Sequence, residues 1–293
     1  MDKHDWLAEQ FEANRDHLRA VAYRMLGSLS EAEDAVQASW LKLSRSDTRE
    51  VENLGGWMTT IVSRVCLDML RSRRSRREAP PSDSPAPDEF RSPAEELDPE
   101  REAQLADAVG LALMVVLDTL TPDERLAFVL HDVFAMPFDD IAPIVGRTSA
   151  TTRQLASRAR RRVRGAAAVP SAELHGQREV VSAFLTAARA GDFNALLTLL
   201  DPDVVLRSDA GAQPGQTWEV QGAERVARMY ERQGGAQAIR PALVNGRVGF
   251  IVAPLGQLML VIQLTFKDGK IAMIDATGDP ERLRQTTVAV LDR

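Results

Sequence analysis

The stretch FDDIAPIVGRTSATTRQLASRARRRVR, residues 138–164, decides the fold of the middle of this chain. Its first eight residues place apolar side chains at the three-and-four spacing of one helix face. Gly146 then supplies the left-handed conformation in which many helices end. Thr148 or Ser149 can cap a second helix that runs from Thr151 to Arg164. The stretch therefore predicts a helix-turn-helix.

The second helix of this motif is strongly basic, with seven arginines and no acid between Arg147 and Arg164. In a helix-turn-helix the first residues of this helix meet base edges in the major groove, and later ones meet phosphates. Arg153 and Gln154 are therefore the predicted base readers. The full set of predicted DNA contacts is Thr152, Arg153, Gln154, Ser157, Arg158 and Arg160. The alternative is a solvated helix end, where the helix dipole favours cations.

The N-terminal part of the chain is also helical by period. Apolar residues recur at helical spacing through Leu18–Leu26, and Ser30 with Glu33 has the pattern of a capping box that opens a second helix. A third helix is predicted from about Gly56 into a cluster of arginines. The single cysteine, Cys66, lies in the apolar pattern of this helix, which predicts a buried thiol and excludes an intramolecular disulfide framework.

Composition divides the chain into three folded blocks and two linkers. Residues 79–104 are predicted to be a flexible linker, because they contain six prolines, several acids and few large apolar residues. A second linker is predicted at residues 169–177. The predicted blocks are a helical domain at 1–78, a helix-turn-helix domain at 105–168 and a third domain at 178–293.

The charges are segregated along the chain. The formal net charge of the 293 residues is −6, which taken whole argues against a simple basic nucleic-acid binder. Residues 71–77 are nearly all Arg or Ser and residues 147–164 are basic, whereas residues 88–107 are rich in Asp and Glu. Two basic faces and one acidic linker are therefore predicted although the net charge of the chain is negative.

The third block, residues 178–293, has a mixed pattern. Its predicted helices are Val180–Ala190 and Gly222–Arg232, and its predicted strands are Val204–Arg207, Leu243–Val252, Leu258–Phe266 and Ile271–Ala276. The last two strands are joined by the tight turn Lys267-Asp268-Gly269-Lys270. Helices followed by a run of antiparallel strands predict an α+β domain, so the fold class is multidomain, with two all-α domains before an α+β domain.

No targeting or membrane segment is visible in the sequence. Met1 is not followed by the apolar region of a signal peptide, and no uncharged apolar run reaches the roughly 20 residues that span a bilayer. The prediction is a cytoplasmic protein without membrane association.

Several segments resemble a known family. The segments 22–28 (AYRMLGS), 31–37 (EAEDAVQ), 57–61 (WMTTI) and 66–71 (CLDMLR) resemble region 2 of the extracytoplasmic-function sigma factors of bacterial RNA polymerase. The segments 120–125 (LTPDER) and 153–160 (RQLASRAR) resemble region 4 of the same family. The resemblance covers roughly the first 165 residues, with the segments in order and at suitable spacing.

This resemblance implies a subunit that binds core RNA polymerase, at the clamp helices of the largest subunit and at the flap, and directs it to the −10 and −35 promoter elements. The implied core-polymerase contacts are Glu31, Glu33, Asp34 and Gln37. The implied −10 contacts are Asn53, Trp57, Arg64, Arg71, Arg73 and Arg74. Two alternatives stand beside these roles: Trp57 is favoured as a core residue, and the acids also suit a helix N-terminus through its dipole.

The third block is similar to the SnoaL-like cone fold, and the whole arrangement resembles the sigma J type of factor. This resemblance implies that the added domain tunes sigma activity, so no separate anti-sigma factor is expected. The implied regulatory interdomain residues are Asp209, Gly211, Gln213, Asp279, Pro280 and Leu283. Residues 178–293 contain no histidine, and acid–base catalysis needs a titratable group in the site. We therefore predict no enzyme activity, no cofactor and no metal.

Two other classes of function compete with the sigma-factor interpretation. A ligand-responsive helix-turn-helix regulator would use the cone to bind an effector, but it leaves the N-terminal block without a role. An enzyme fused to a DNA-binding module is the third hypothesis. The first alternative predicts tight operator binding by the isolated protein, usually as a dimer, whereas a sigma factor is expected to bind weakly until core polymerase is added.

Overall fold

A computed structural model describes residues 3–46, 51, 53–78, 108–165, 171–210, 216–232 and 238–291. The chain forms two compact units, which contain Met1–Ala103 with Asp118–Arg160, and Gln104–Leu117 with Arg161–Arg293. The predicted linker at 79–104 lies outside the described residues.

Three helices form the N-terminal part of the first unit: α1 (Lys3–Leu26), α2 (Leu29–Leu43) and α3 (Leu54–Glu78). They pack against one another, because each carries an apolar stripe at helical spacing. The largest fully buried side chains of this core are Leu18, Met25, Leu26, Leu43, Met58 and Leu67. The helical prediction for this block is confirmed.

The start of α2 differs from the sequence prediction. Ser28 is the N-cap, and its Oγ accepts a hydrogen bond from the backbone N–H of Glu31 at 3.4 Å. The predicted capping box of Ser30 and Glu33 is wrong, because Ser30 already lies in the first turn. The buried thiol is confirmed, and burial raises the pKa of Cys66 to about 12.

The helix-turn-helix is confirmed. The helices of this part of the chain are α4 (Ala108–Asp118), α5 (Pro122–Phe128), a π-helical turn (Val129–Val133), α6 (Phe138–Val145) and α7 (Ser149–Arg164). Gly146 ends α6 with a φ of +72°. Thr148 caps α7, since its Oγ1 accepts from the N–H of Thr151 at 3.2 Å. The helix therefore begins at Ser149 rather than at Thr151.

Helix α5 contributes a buried arginine to the first unit. Arg125 is 3% exposed, and its guanidinium pairs with Asp118. The same group donates from Nε and one Nη to the carbonyl oxygen of Arg24, at 3.3 and 3.2 Å. Arg24 lies in the last turn of α1, where carbonyls have no partner within the helix. Burial lowers the pKa of Arg125, and the charge of Asp118 acts in the opposite direction.

We expect Asp118→Ala to destabilise the first unit more than Arg125→Met does. The first change leaves a buried cation without its partner, and because Asp118 itself is 48% exposed we expect a cost near the lower end for buried pairs, about 3 kcal/mol. The second leaves the Arg24 carbonyl without a donor, which costs about 1–3 kcal/mol. Urea unfolding followed by circular dichroism measures both. The double variant should resemble Arg125→Met alone, and a double variant with additive losses would contradict the pairing.

The second unit is built on a seven-stranded sheet of order β2-β1-β6-β5-β4-β3-β7. The strands are β1 (Leu200–Ser208), β2 (Trp218–Gln221), β3 (Ile239–Val244), β4 (Arg247–Val252), β5 (Leu260–Lys267), β6 (Lys270–Thr277) and β7 (Val288–Ala289). Only β1 and β6 pair in parallel among these described strands. The helices are α8 (Ser171–Ala190), α9 (Phe193–Leu199), α10 (Ala223–Arg232) and α11 (Pro280–Gln285).

The core of this α+β domain is apolar. Phe184 of α8 contacts both Phe250 of β4 and Tyr230 of α10, with ring centroids 5.8 and 5.1 Å apart. Trp218 and Tyr230 are partly buried and pack against this core. Burial raises the pKa of Tyr230 to about 12. The α+β fold class is therefore confirmed.

Several boundaries of the second unit differ from the prediction. Helix α8 begins at Ser171, so residues 171–177 of the predicted linker are helical, while 169–170 lie outside the described residues. The strand predicted at Leu243–Val252 is a hairpin of β3 and β4, because Asn245 and Gly246 take positive φ values. The sequence pattern does not predict α9, β2, α11 or β7. Within the described residues, every helix is too short or too polar to cross a membrane.

Candidate nucleic-acid interface

One side of α7 is exposed and basic. Six of the exposed residues recur at spacings of three and four, as expected for one face of a helix. They are Ala150, Arg153, Gln154, Ser157, Arg158 and Arg161. The opposite side is buried through Thr152, Ala156 and Ala159. We call the six exposed residues the α7 face.

Four of the six predicted DNA contacts of this helix lie on the α7 face, namely Arg153, Gln154, Ser157 and Arg158. Thr152 is a correction, because its side chain is fully buried and its Oγ1 donates to the carbonyl of Thr148 at 3.0 Å. Arg160 is half-buried, and its Nε lies 3.3 Å from a carboxylate oxygen of Asp132. That arginine is therefore committed to an ion pair in this structure.

Sequence reasoning did not assign Arg147 or Arg161 to DNA, although both are exposed. Arg161 belongs to the α7 face, and Arg147 lies in the turn before α7. Helical spacing is the signal that could have identified Arg161. It follows Ser157 by four residues and Arg158 by three, so the three side chains share one side of the helix.

Arg153 lies next to an aromatic pair. Its guanidinium carbon lies 5.8 Å from the centroid of the Phe138 ring. The imidazole of His131 stacks on the same ring, with centroids 3.8 Å apart and an interplanar angle of 27°. The turn is further held by Ser149, whose hydroxyl donates to the carboxylate of Asp139.

Helix α3 carries the residues predicted to contact the −10 element. Trp57, Arg64 and Arg71 are spaced by seven residues, which at about 3.6 residues per turn returns to nearly the same side. Arg64 and Arg71 are exposed, and Trp57 is half-buried, so its side chain lies partly in the core and partly at the surface. Asp68 is also exposed on this side and adds one negative charge.

Asn53 is the N-cap of α3. Its side-chain oxygen accepts from the N–H of Gly56 at 2.9 Å, and its backbone carbonyl accepts from the N–H of Trp57 at 3.0 Å. The residue is exposed, so its side-chain amide N–H groups remain on the surface. Asn53 therefore has a structural role that the sequence analysis did not assign, together with donors that could face a base.

Two of the predicted −10 arginines are bound within the first unit. Arg71 lies 2.8 Å from a carboxylate oxygen of Asp123, and it also donates to the carbonyl of Val145 at 3.4 Å. Arg73 pairs with Glu31. In this structure Arg71 and Arg73 must therefore leave these carboxylates before either can bind a phosphate. Arg74 is exposed on the last turns of α3, and it too has an interaction partner.

The four predicted core-polymerase residues separate into two pairs. Glu31 binds Arg73, and Glu33 lies 3.2 Å from Arg15 and 3.5 Å from Arg19, so both acids join helices within the unit. Asp34 and Gln37 are exposed on α2. Leu41 is 53% exposed and follows Gln37 by four residues, which places it on the same side. The surface of α2 thus combines polar groups with an exposed apolar side chain.

The two loops predicted to regulate the factor meet inside the second unit. Asp209, which follows β1, accepts from the backbone N–H of Gly278 and pairs with Arg282 at 2.7 Å. Asp279 caps α11 by accepting from the N–H of Glu281 at 3.0 Å. Pro280 and Leu283 belong to this helix. Gly211 and Gln213 lie outside the described residues.

Both helical blocks match regions of the sigma-70 class of transcription-initiation factors. Residues 10–76 match Sigma-70 region 2, and residues 110–163 match Sigma-70, region 4. The first match contains most of α3, and the second contains the α7 face. The two basic surfaces therefore belong to regions of one class of protein.

Whole-chain relatives define the family more narrowly. The chain is 37% identical over 290 residues to the ECF RNA polymerase sigma factor SigJ of Mycobacterium tuberculosis, covering 93% of this chain and 92% of that protein. It is 34% identical over 285 residues to the probable ECF RNA polymerase sigma factor SigI of the same species, covering 97% of each. A crystal structure of the M. tuberculosis SigJ matches with 34% identity and a TM-score of 0.44, covering 94% of this chain and 98% of that one. The chain belongs to the extracytoplasmic-function family of RNA polymerase sigma factors.

Membership of this family establishes the function at the level of class. The chain is a sigma factor, whose two sigma regions imply binding to core RNA polymerase and to promoter DNA. The relationship with SigJ and SigI extends over the α+β domain as well as the helical blocks. The alternative of a ligand-responsive regulator receives no support from these relatives.

Two substitutions on the α7 face should separate base contacts from phosphate contacts. We expect Arg153→Ala to cost about 1–3 kcal/mol and to relax the sequence preference at one base pair. Arg161→Ala should weaken binding on all sequences and reduce the salt slope by about one. Promoter binding by the polymerase holoenzyme, measured on a set of single-base variants at several salt concentrations, tests both. Equal losses on every sequence for Arg153→Ala would make Arg153 a phosphate contact.

Proposed function

We propose that this sigma factor seats its N-terminal helices on core RNA polymerase and reads the −35 element with α7 and the −10 element with α3. The observation that carries the proposal is the α7 face, an uninterrupted exposed side of a helix-turn-helix recognition helix with three arginines and no acid. The electrostatic attraction between such a face and the phosphates supplies affinity, and base edges supply specificity.

The proposed contact with the clamp helices of the largest subunit uses the exposed side of α2. Asp34 and Gln37 provide an acid and an amide beside Leu41, whose exposed side chain gains by leaving water. Glu31 and Glu33 stabilise the position of α2, because their arginine partners fix this helix to α1 and α3. Charge complementarity would set the rate and register of docking more than its affinity. The flap is the proposed partner of the helix-turn-helix module.

At the −10 element, the start of α3 is the proposed site of an unpaired base. Asn53 offers amide donors, and Trp57 offers a half-exposed ring on which a base can stack, worth about 1–3 kcal/mol. Trapping a flipped base offsets part of the stacking energy lost on opening the duplex. Arg64 and Arg74 are proposed phosphate contacts on the same helix. Arg71 and Arg73 would join them after exchanging a carboxylate for a phosphate.

This exchange gives a direct test at Asp123. We expect Asp123→Asn to strengthen promoter binding up to about five-fold, because a half-exposed ion pair of this kind is worth at most about 1 kcal/mol. Filter binding or fluorescence anisotropy of the holoenzyme on promoter DNA at about 100 mM salt measures the change, at an ionic strength where surface pairs are only partly screened. The control is the same substitution in an Arg71→Ala background, where no gain is expected. A gain that persists in the Arg71→Ala background would show that Asp123 does not act through Arg71.

The α+β domain is proposed to tune the sigma activity in place of a separate anti-sigma factor. The segments Asp209–Gln213 and Asp279–Leu283 are the proposed contact surface. Asp209 would act indirectly, since its carboxylate is used by Gly278 and Arg282. We propose that this domain is not an enzyme and needs no cofactor or metal, and that the protein works in the cytoplasm with its polymerase.

Run-off transcription with purified core polymerase tests the proposed function as a whole. The full chain should direct initiation at specific promoters, and a chain ending at Ala168 should change that output if the α+β domain is regulatory. A gel-shift series gives the control, because promoter binding should be weak without core and strong with it. Failure of the chain to bind core polymerase would contradict the proposal, and identical output from both chains would reject regulation by the third domain.

A further inference from the structure

Phe138 is a half-buried aromatic residue next to the recognition helix. It opens α6, yet its ring is half-buried, while Ile141, Ile144 and Val145 supply the buried face of that helix. Its ring is in contact with one imidazole and one guanidinium.

The imidazole fixes the ring from the preceding element. His131 lies in the π-helical turn Val129–Val133, and its ring stacks on Phe138 at 3.8 Å. The Nδ1 atom of His131 lies 3.0 Å from the carbonyl oxygen of Met136, so this nitrogen carries the proton and donates it. That hydrogen bond sets the orientation of the imidazole, and the imidazole in turn sets that of the phenyl ring.

The phenyl ring that stacks on the imidazole is also in contact with Arg153. The guanidinium carbon of Arg153 lies 5.8 Å from the ring centroid, within the roughly 6 Å over which a cation is attracted to an aromatic face. Arg153 is otherwise exposed on the α7 face. An exposed arginine loses side-chain entropy when it binds, and a partner that restricts it beforehand reduces that loss.

We propose that Phe138 is a positioning residue that holds Arg153 in the orientation needed to read a guanine of the −35 element. The planar guanidinium can donate two hydrogen bonds to the O6 and N7 atoms of guanine, a geometry that depends on the direction of approach. This inference rests on the proposed base-reading role of Arg153. Phe138 acts through Arg153 and touches no base.

The test compares Phe138→Leu with Phe138→Tyr in the full chain bound to core polymerase. Leucine keeps apolar volume but removes the aromatic face, whereas tyrosine retains the face and is the matched control. The readout is a ratio of run-off transcript from two promoters. The first promoter has the preferred base pair, and the second is substituted at the base pair that Arg153→Ala affects. Phe138→Leu should reduce this ratio about two- to five-fold, as expected for an exposed cation–aromatic contact. Phe138→Tyr should keep the ratio close to that of the unsubstituted protein.

A double variant distinguishes positioning from a general effect on the fold. In an Arg153→Ala background, Phe138→Leu should leave the ratio unchanged, because the side chain through which it acts is gone. Equal loss on all promoters, or a further fall of the ratio in that background, would overturn the positioning role. If Arg153→Ala reduces discrimination and Phe138→Leu does not, the inference fails while base reading by Arg153 stands. If Arg153→Ala changes discrimination at no base pair, base reading by Arg153 fails, and the inference fails with it.

Discussion

The buried guanidinium of Arg125 is the interaction on which the first unit depends. A charge with so little exposure is tolerated only when it is paired and its donors are satisfied. Asp118 supplies the opposite charge, and the carbonyl of Arg24 supplies the acceptor. Because Arg24 lies at the end of α1 and Arg125 lies in α5, this one side chain fixes the helix-turn-helix module against the N-terminal helices. The pair of Arg71 with Asp123 joins the same two parts of the chain.

The ion pairs of the first unit also decide which arginines are available to DNA. The sequence supplies many more arginines than any one binding face could use, and their number alone does not distinguish structural roles from binding roles. Arg73 and Arg160 have carboxylate partners, whereas Arg153, Arg158 and Arg161 share the exposed α7 face. The set of arginines that we propose to meet DNA is therefore smaller than the composition suggests.

Local patterns predicted most of the fold. The period of apolar residues indicated the three N-terminal helices and the helix-turn-helix, because one continuous stretch of chain encodes each of them. Prediction failed where the deciding contact is distant in sequence, as for Arg71 and Asp123, which are 52 residues apart. It also failed for Thr152, whose place at the start of a recognition helix suggested DNA contact although its helical phase with Ala156 and Ala159 points to the buried side. Short elements such as β2 and α11 carry too few residues for a period to be seen.

The borders of the seven-stranded sheet have a consequence for the free protein. Its outer strands, β2 and β7, contain four and two residues. An outer strand presents unpaired backbone groups to other chains, and the number of these groups grows with its length. Strand β7 covers β3 only at Leu243 and Val244, so the border on that side is shared between the two strands. Pairing with a second copy through β7 would therefore be limited to two residues, and any longer strand addition on that side would have to use β3.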